Sequence, residues 1–311
     1  MLTKQFKQLT KKSVNEAGGK GASLGEMTHA GIPVPPGFVV LAGSFEQFLK
    51  ETDLSAEIEA ILKRVKHQDI NSVENASKEI QALILNAKMP KDIATEITKN
   101  FKALKTKFVA VRSSATAEDS ASDAWAGQLD TYLNTTEKDV LKNVQRCWAS
   151  LFTPRAIFYR FEKKLHKTFV SVAVVVQTMV QSEVSGICFT VHPVTKDKNQ
   201  MIIEGGFGLG EAIVSGSVTP DTYVVHKNDF SILDINVSEQ SMMIVKSGSK
   251  NLHKKLSPKA GSKQKLTGKQ IVELAKICKS IEKHYKKPQD IEWALVKNKF
   301  YITQSRPITT L

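Results

Sequence analysis

The stretch Asp290-Ile-Glu-Trp-Ala-Leu-Val-Lys-Asn-Lys-Phe-Tyr-Ile-Thr-Gln-Ser-Arg306 decides how this chain is read. Polar and apolar residues alternate from Asp290 to Leu295. A turn follows, and Tyr301 to Arg306 continues as a second strand, so the segment predicts a β-hairpin. With a three-residue loop at Lys297 to Lys299, Glu292 stands opposite Gln304 and Asp290 opposite Arg306. A two-residue loop breaks that register. In the first case two acids, an amide and a guanidinium share one sheet face. Glu292 and the Gln304 carbonyl then offer oxygen ligands of the kind magnesium takes, and Arg306 can grip phosphate as a fork. A cross-strand polar pair on a solvated face, with an Asp290–Arg306 ion pair, fits the same spacing.

Upstream lie two glycine-rich segments, Asn15-Glu-Ala-Gly-Gly-Lys-Gly-Ala-Ser-Leu-Gly-Glu-Met27 and Glu204-Gly-Gly-Phe-Gly-Leu-Gly-Glu211. Glycine admits close approach of backbone N–H groups to phosphate, but neither segment has the Walker or dinucleotide spacing. Lys20 within the first is either an ammonium that covers a polyphosphate or a surface lysine in a turn. Phe108 to Val111 reads as a short buried strand ending at the polar run Arg112-Ser-Ser-Ala-Thr-Ala-Glu-Asp119. Arg112, held by packing behind it, is a candidate phosphate clamp.

Residues 44 to 106 and 137 to 165 carry apolar positions at helical spacing, as does Gly268 to Tyr285. The β-branched run Phe169 to Val180 predicts a strand buried on both faces. Further strands are expected at 185 to 191, 201 to 204 and 221 to 226, and an exposed loop over the lysine-rich stretch 246 to 265. At 311 residues the chain suits two lobes.

The 44 basic and 31 acidic residues leave a net charge of +13. The lysines are spread along amphipathic segments without interleaved aromatics, which favours a solvated basic surface, with affinity for a polyphosphate, over a nucleic-acid site. No apolar run reaches bilayer length and no secretory leader stands at the start, so neither a membrane nor export is expected and the cytoplasm is the default. Three scattered cysteines suggest buried thiols rather than a disulfide framework.

Taken in order, Asn15 to Met27, Gly31 to Phe38, Val111 to Asp119, Ala126-Gly-Gln128, Arg146-Cys-Trp-Ala-Ser-Leu-Phe152, Gly206 to Glu211, Asp290-Ile-Glu-Trp293 and Gln304-Ser-Arg-Pro307 resemble a known family. It is the N-terminal nucleotide-binding domain shared by phosphoenolpyruvate synthase, pyruvate phosphate dikinase and rifamycin phosphotransferase, with phosphoenolpyruvate synthase the nearest in pattern. The resemblance covers essentially the whole chain. It implies an α+β, ATP-grasp fold with an N-terminal lobe at 1–180 and a C-terminal lobe at 181–311, holding ATP between them.

By the same resemblance, Lys20, Arg112 and Arg306 act on ATP phosphates, and Glu292 and Gln304 hold Mg2+ with support from Asp290. Gln177, Met179 and Val180 meet adenine through their backbone, and Glu204 and Glu211 lie near ribose or phosphates. The activity implied is transfer of the β-phosphoryl group of ATP to a histidine on a partner domain, which then phosphorylates pyruvate bound to a further domain. Neither domain is expected within this chain, and none of its seven histidines matches a phospho-acceptor motif. His192 departs from the family, whose members usually carry aspartate there, and is read as a tolerated loop change.

Overall fold

The computed structural model describes residues 1–116, 130–163, 171–248 and 250–308. The chain divides into two compact units, Met1–Glu26 with Pro36–Met179, and Met27–Pro35 with Val180–Leu311. Residues 27–35, which a single cut after residue 180 leaves in the first lobe, thus belong to the second unit. There the Ile302 N–H donates to Pro33 O at 2.9 Å.

The first unit is built on a five-stranded antiparallel sheet in the order β1 (Thr3–Gln5), β2 (Gly37–Val40), β5 (Val172–Thr178), β3 (Val109–Ala115), β4 (Thr131–Thr135). Its helices are α1 (Val14–His29), α2 (Ala42–Glu51), α3 (Leu54–Arg64), α4 (Ile70–Asn86), α5 (Lys91–Ala103), α6 (Val140–Ala149) and α7 (Pro154–Glu162). Side chains alternate across the sheet. Phe38, Val40, Val111, Val174 and Val176 face the core with Phe45, Phe48 and Trp148. The Phe48 and Trp148 rings lie 4.9 Å apart.

Local chemistry sets several boundaries. Pro154 opens α7 and Thr153 caps it, accepting the Ala156 N–H at 3.2 Å. The expected break at Arg112 does not occur: β3 runs on through Arg112, Ser113 and Ser114 to Ala115. Serine fits here because each hydroxyl finds a carbonyl, Ser113 that of Asp130 (2.8 Å) and Ser114 that of Ala17 (2.9 Å). Residues 117–119 of that polar run, and Ala126-Gly-Gln128, lie outside the described residues.

In the second unit a six-stranded antiparallel sheet has the order β13 (Lys299–Pro307), β12 (Gln289–Val296), β6 (Val184–Phe189), β7 (Gln200–Phe207), β8 (Asp221–His226), β9 (Ile232–Asn236). Helix α10 (Gly268–Tyr285) covers one face. Its Ile271, Leu274, Cys278 and Ile281 are buried, as are Cys188, Ile203, Tyr223, Ile291 and Trp293 of the sheet.

The stretch 246 to 265 is not the loop expected. β10 (Met242–Ser247) and β11 (Lys250–Lys255) form a hairpin, followed by the short α9 (Pro258–Gly261); the short α8 (Glu211–Val214) follows β7. Lysine content misled because Lys250, Lys254 and Lys255 are exposed on a strand rather than in a loop. Lys265, by contrast, is buried and ion-paired with the equally buried Asp221 at 2.7 Å. Asp221 also accepts from the Tyr223 hydroxyl and from the N–H groups of Ser238 and Lys265, so the pair is fully enclosed in hydrogen bonds.

Candidate functional site

In the first unit, Arg112 and Ser114 point to the sheet face opposite the helical core, and so does Gln177, paired with Ala110 two residues before Arg112. Helix α1 packs on this face. It is kinked at Gly18 (φ 67°), where a side chain would collide with the hydroxyl and carbonyl of Ser114. The Ser114 hydroxyl accepts from the Gly21 N–H (3.3 Å) while donating to Ala17 O. Ser114 therefore clamps both sides of the kink. Lys20, one residue before Gly21, lies on the part of α1 that the Gly21 bond ties to β3, the strand that carries Arg112.

Lys20 also reaches α6 electrostatically. Burial pushes the Cys147 thiol up to about 12, and the Ser113 hydrogen bond and the Lys20 charge work against that rise. Gly18 thus serves to bring α1 against β3, while Gly21 abuts Val39 of β2 and Gly25 abuts Leu9, packing roles that spacing alone does not reveal.

At the end of β5, Gln177 is 2% exposed and the Thr178 and Met179 N–H groups donate to Pro36 O (2.8 Å) and Phe108 O (3.0 Å). The Met179 N–H is thus committed within its own unit. Val180 opens the second unit's long segment.

In the second unit the open face of the sheet carries a row of residues in register. Glu204 on β7 and Glu292 on β12 both lie opposite Ile187 of β6, and Glu292 lies opposite Gln304 of β13. The two glutamates are two strand spacings apart, roughly 10 Å. One step along, Asp290 faces Arg306. The guanidinium holds Asp290 Oδ2 through Nη2 at 2.7 Å and Nε at 2.9 Å.

The turn behind this register is not the three-residue loop of the first alternative. Val296 pairs with Lys299 across a two-residue turn, with Lys297 and Asn298 both left-handed (φ 49° and 57°). A β-bulge at Glu292/Trp293 adds Thr303 to β13 and restores the facing pairs. The Thr303 hydroxyl donates to Glu292 O at 3.3 Å.

The row is electrostatically loaded. Burial raises the Glu204 carboxyl above its ordinary range, and Asp290 adds to the rise. Burial likewise raises Asp290, with Arg306 opposing and Glu292 adding. Carboxyls whose ionisation is opposed by burial first and by a neighbouring acid second are relieved by a cation. The donor set fits a hard metal that takes one or two protein oxygens, and among the described residues no group of three acids, histidines or cysteines is placed to hold a metal alone.

The second glycine segment leaves β7 beside this row. The Gly208 carbonyl accepts from the hydroxyls of Ser182 (2.9 Å) and Ser185 (2.7 Å), neither of which the sequence signals. Glu211, exposed at the start of α8, accepts from Asn251 Nδ2 of the β10–β11 hairpin at 2.7 Å. At His192, Nδ1 accepts the N–H groups of Val194 (3.3 Å) and Thr195 (3.2 Å), so the imidazole serves as a turn cap where a carboxylate oxygen would also serve. Among the described residues no helix is long and apolar enough to cross a membrane.

Arg112 thus stands on the first unit's sheet, with Lys20 on the helix packed against it, and the acidic row stands on the second unit's sheet. The chain belongs to the pyruvate phosphate dikinase AMP/ATP-binding domain family, whose model matches residues 14–311. It is 45% identical over 313 residues to a probable phosphoenolpyruvate synthase of Methanothermobacter thermautotrophicus and 47% identical over 313 residues to that of Methanocaldococcus jannaschii. It is 38% identical over 309 residues to a rifampicin phosphotransferase of Bacillus subtilis. Each match covers 98% of this chain but only 46%, 26% and 35% of the respective relatives, so the chain spans less than half of their length. A solved D-alanine-D-alanine ligase from Helicobacter pylori overlaps 68% of this chain and 46% of its own at 14% identity and a TM-score of 0.30, a likeness too remote to argue from. The mixed α+β architecture of both units agrees with the expectation for the family.

Proposed function

We propose that this chain is the ATP-grasp, magnesium- and ATP-binding module of a phosphoenolpyruvate-synthase-like phosphotransferase. The observation that carries the reading is the row Glu204–Ile187–Glu292–Gln304, with Asp290–Arg306 beside it, in a chain of the AMP/ATP-binding family. Lys20, Arg112 and Arg306 neutralise phosphate oxygens, and Glu292 and Gln304 hold the metal. Gln177, Met179 and Val180 lie along adenine, and Glu204 and Glu211 flank the glycine turn near the ribose or phosphates. Bound magnesium would supply charge stabilisation of the phosphates. The residues themselves position and neutralise, since phosphoryl transfer through a loose transition state asks little covalent work of the protein.

The β-phosphoryl group goes to a histidine of a partner domain, with AMP and phosphate released, and from there to pyruvate on a further domain. The similarity to a rifampicin phosphotransferase supports a second reading, in which the same module serves another final acceptor. The test is incubation with magnesium, ATP labelled at the β-phosphate and either pyruvate or rifampicin, with and without the family histidine and acceptor domains. Label in phosphohistidine only when the domains are present is the expected result. No transfer with compatible domains overturns the reading, and the labelled acceptor decides between its two forms.

A further inference from the structure

Gln240 stands in for a missing strand beside the glycine-rich turn. Strand β7 runs to Phe207, whereas its ladder with β8 ends where Gly205 meets Asp221, so Gly206 and Phe207 extend past their neighbour. The Gln240 side chain fills that place, and the residue is 1% exposed. Its Oε1 accepts the Phe207 N–H at 2.8 Å and its Nε2 donates to Phe207 O at 2.9 Å. Bonds to both the N–H and the C=O of one residue are what an adjacent antiparallel strand supplies. A further Nε2 bond reaches Met242 O at 2.8 Å, tying the turn to β10. The Gln240 N–H donates in turn to Gly261 O at 3.2 Å, which anchors the amide from behind.

The next residues of the turn are held from other sides, Gly208 N–H by Glu183 O (2.9 Å) and Leu209 N–H by Ile244 O (2.8 Å). We infer that Gln240 is a positioning residue: through Phe207 it fixes the main chain of the 205–210 turn, and with it the Glu204 and Glu211 carboxylates at either end, for a nucleotide polyphosphate. This rests on the nucleotide-binding reading above. Gln240 touches no phosphate itself. Its contribution is to remove the freedom that a run of four glycines would otherwise lose on binding.

The test is Gln240→Glu, followed by calorimetry with magnesium and ATP and by thermal melting, each from pH 5.5 to 8. A carboxylate still accepts from the Phe207 N–H but sets an anion against the Phe207 and Met242 carbonyls, whereas the protonated acid donates to one of them. The expected result is affinity about tenfold below wild type at pH 8, recovering toward wild type on acidification. A merely structural lesion would lower the melting temperature without that recovery in the affinity ratio. Wild-type affinity for the folded variant at every pH overturns the inference. If Q240E does not fold, Gln240→Asn, one methylene too short to reach Phe207, provides the same comparison together with faster hydrogen exchange at Phe207. Unchanged affinity there also overturns it. Absence of ATP binding by the wild type overturns the nucleotide reading and this inference together, whereas binding that Q240E matches overturns this inference alone.

Discussion

Glu292 stands opposite Gln304 because β13 carries one residue more than the turn accounts for. The two-residue turn at Lys297–Asn298 sets Val296 against Lys299, and continued without interruption it would set Glu292 against Thr303. The bulge moves Thr303 aside and brings Gln304 onto the open face with Glu292. A bulge that re-aims one polar side chain beside a row of acids is a device for building a site rather than a defect.

Glu292→Gln keeps the shape of that pair and removes its charge. The expected outcome is loss of the magnesium dependence of ATP affinity, about a tenfold effect, with a smaller loss in Gln304→Ala. Titration calorimetry with and without magnesium checks both. A magnesium dependence equal to wild type in Glu292→Gln would place the metal elsewhere.

Much of this site was legible in the sequence, though by unequal routes. The facing of Glu292 with Gln304 followed from a three-residue loop, and it is right for a different reason, since a bulge cannot be read from alternation that it only briefly interrupts. Helix α10 came out with its bounds because its apolar stripe is regular and Thr267 caps it with Gln270. The β10–β11 hairpin was hidden by its lysines. Ser182, Ser185 and Gln240 act through partners distant in sequence, and no local pattern announces them.

Ser114 ties α1, which carries Lys20, to β3, which carries Arg112, so the kink at Gly18 is part of the placement of Lys20. Arg112→Ala and Lys20→Ala should each weaken ATP binding by about ten- to a hundredfold while leaving the melting temperature near wild type. Gly18→Ala should instead destabilise the first unit by about 2 kcal/mol or more, because it combines a left-handed backbone with a contact no relaxation of a flexible tip can relieve. Urea denaturation separates the two classes. Equal stability of Gly18→Ala and wild type would show that α1 can move off β3.

Lys265→Met tests the buried pair. The ammonium and the Asp221 carboxylate are both fully enclosed, so removing one leaves a buried charge whose remaining hydrogen bonds come from Tyr223, Ser238 and the Lys265 main chain. A loss of about 3 kcal/mol is expected in urea denaturation. A loss below about 1 kcal/mol would mean that these remaining donors suffice to hold Asp221.

The acidic row makes a prediction about pH. Glu204 is raised by burial first and by Asp290 second, and Asp290 by burial with Glu292 adding to it. A carboxyl raised on folding binds its proton more tightly in the folded state. Its contribution to stability is therefore full below the unfolded value and is lost as pH rises through the folded one. Ionised Glu204 thus works against the fold at neutral pH, and Glu204→Gln should melt higher than wild type at pH 7 to 8 by roughly 1–3 °C. At pH 4, where the acid is largely neutral in both states, the two should melt alike. Magnesium with ATP should raise the wild-type melting temperature more than that of Glu204→Gln, because the cation offsets the cost of a buried charge that the variant no longer carries. A melting difference that stays constant from pH 4 to 8 would show that the Glu204 carboxyl ionises normally and that the row is not poised for a cation.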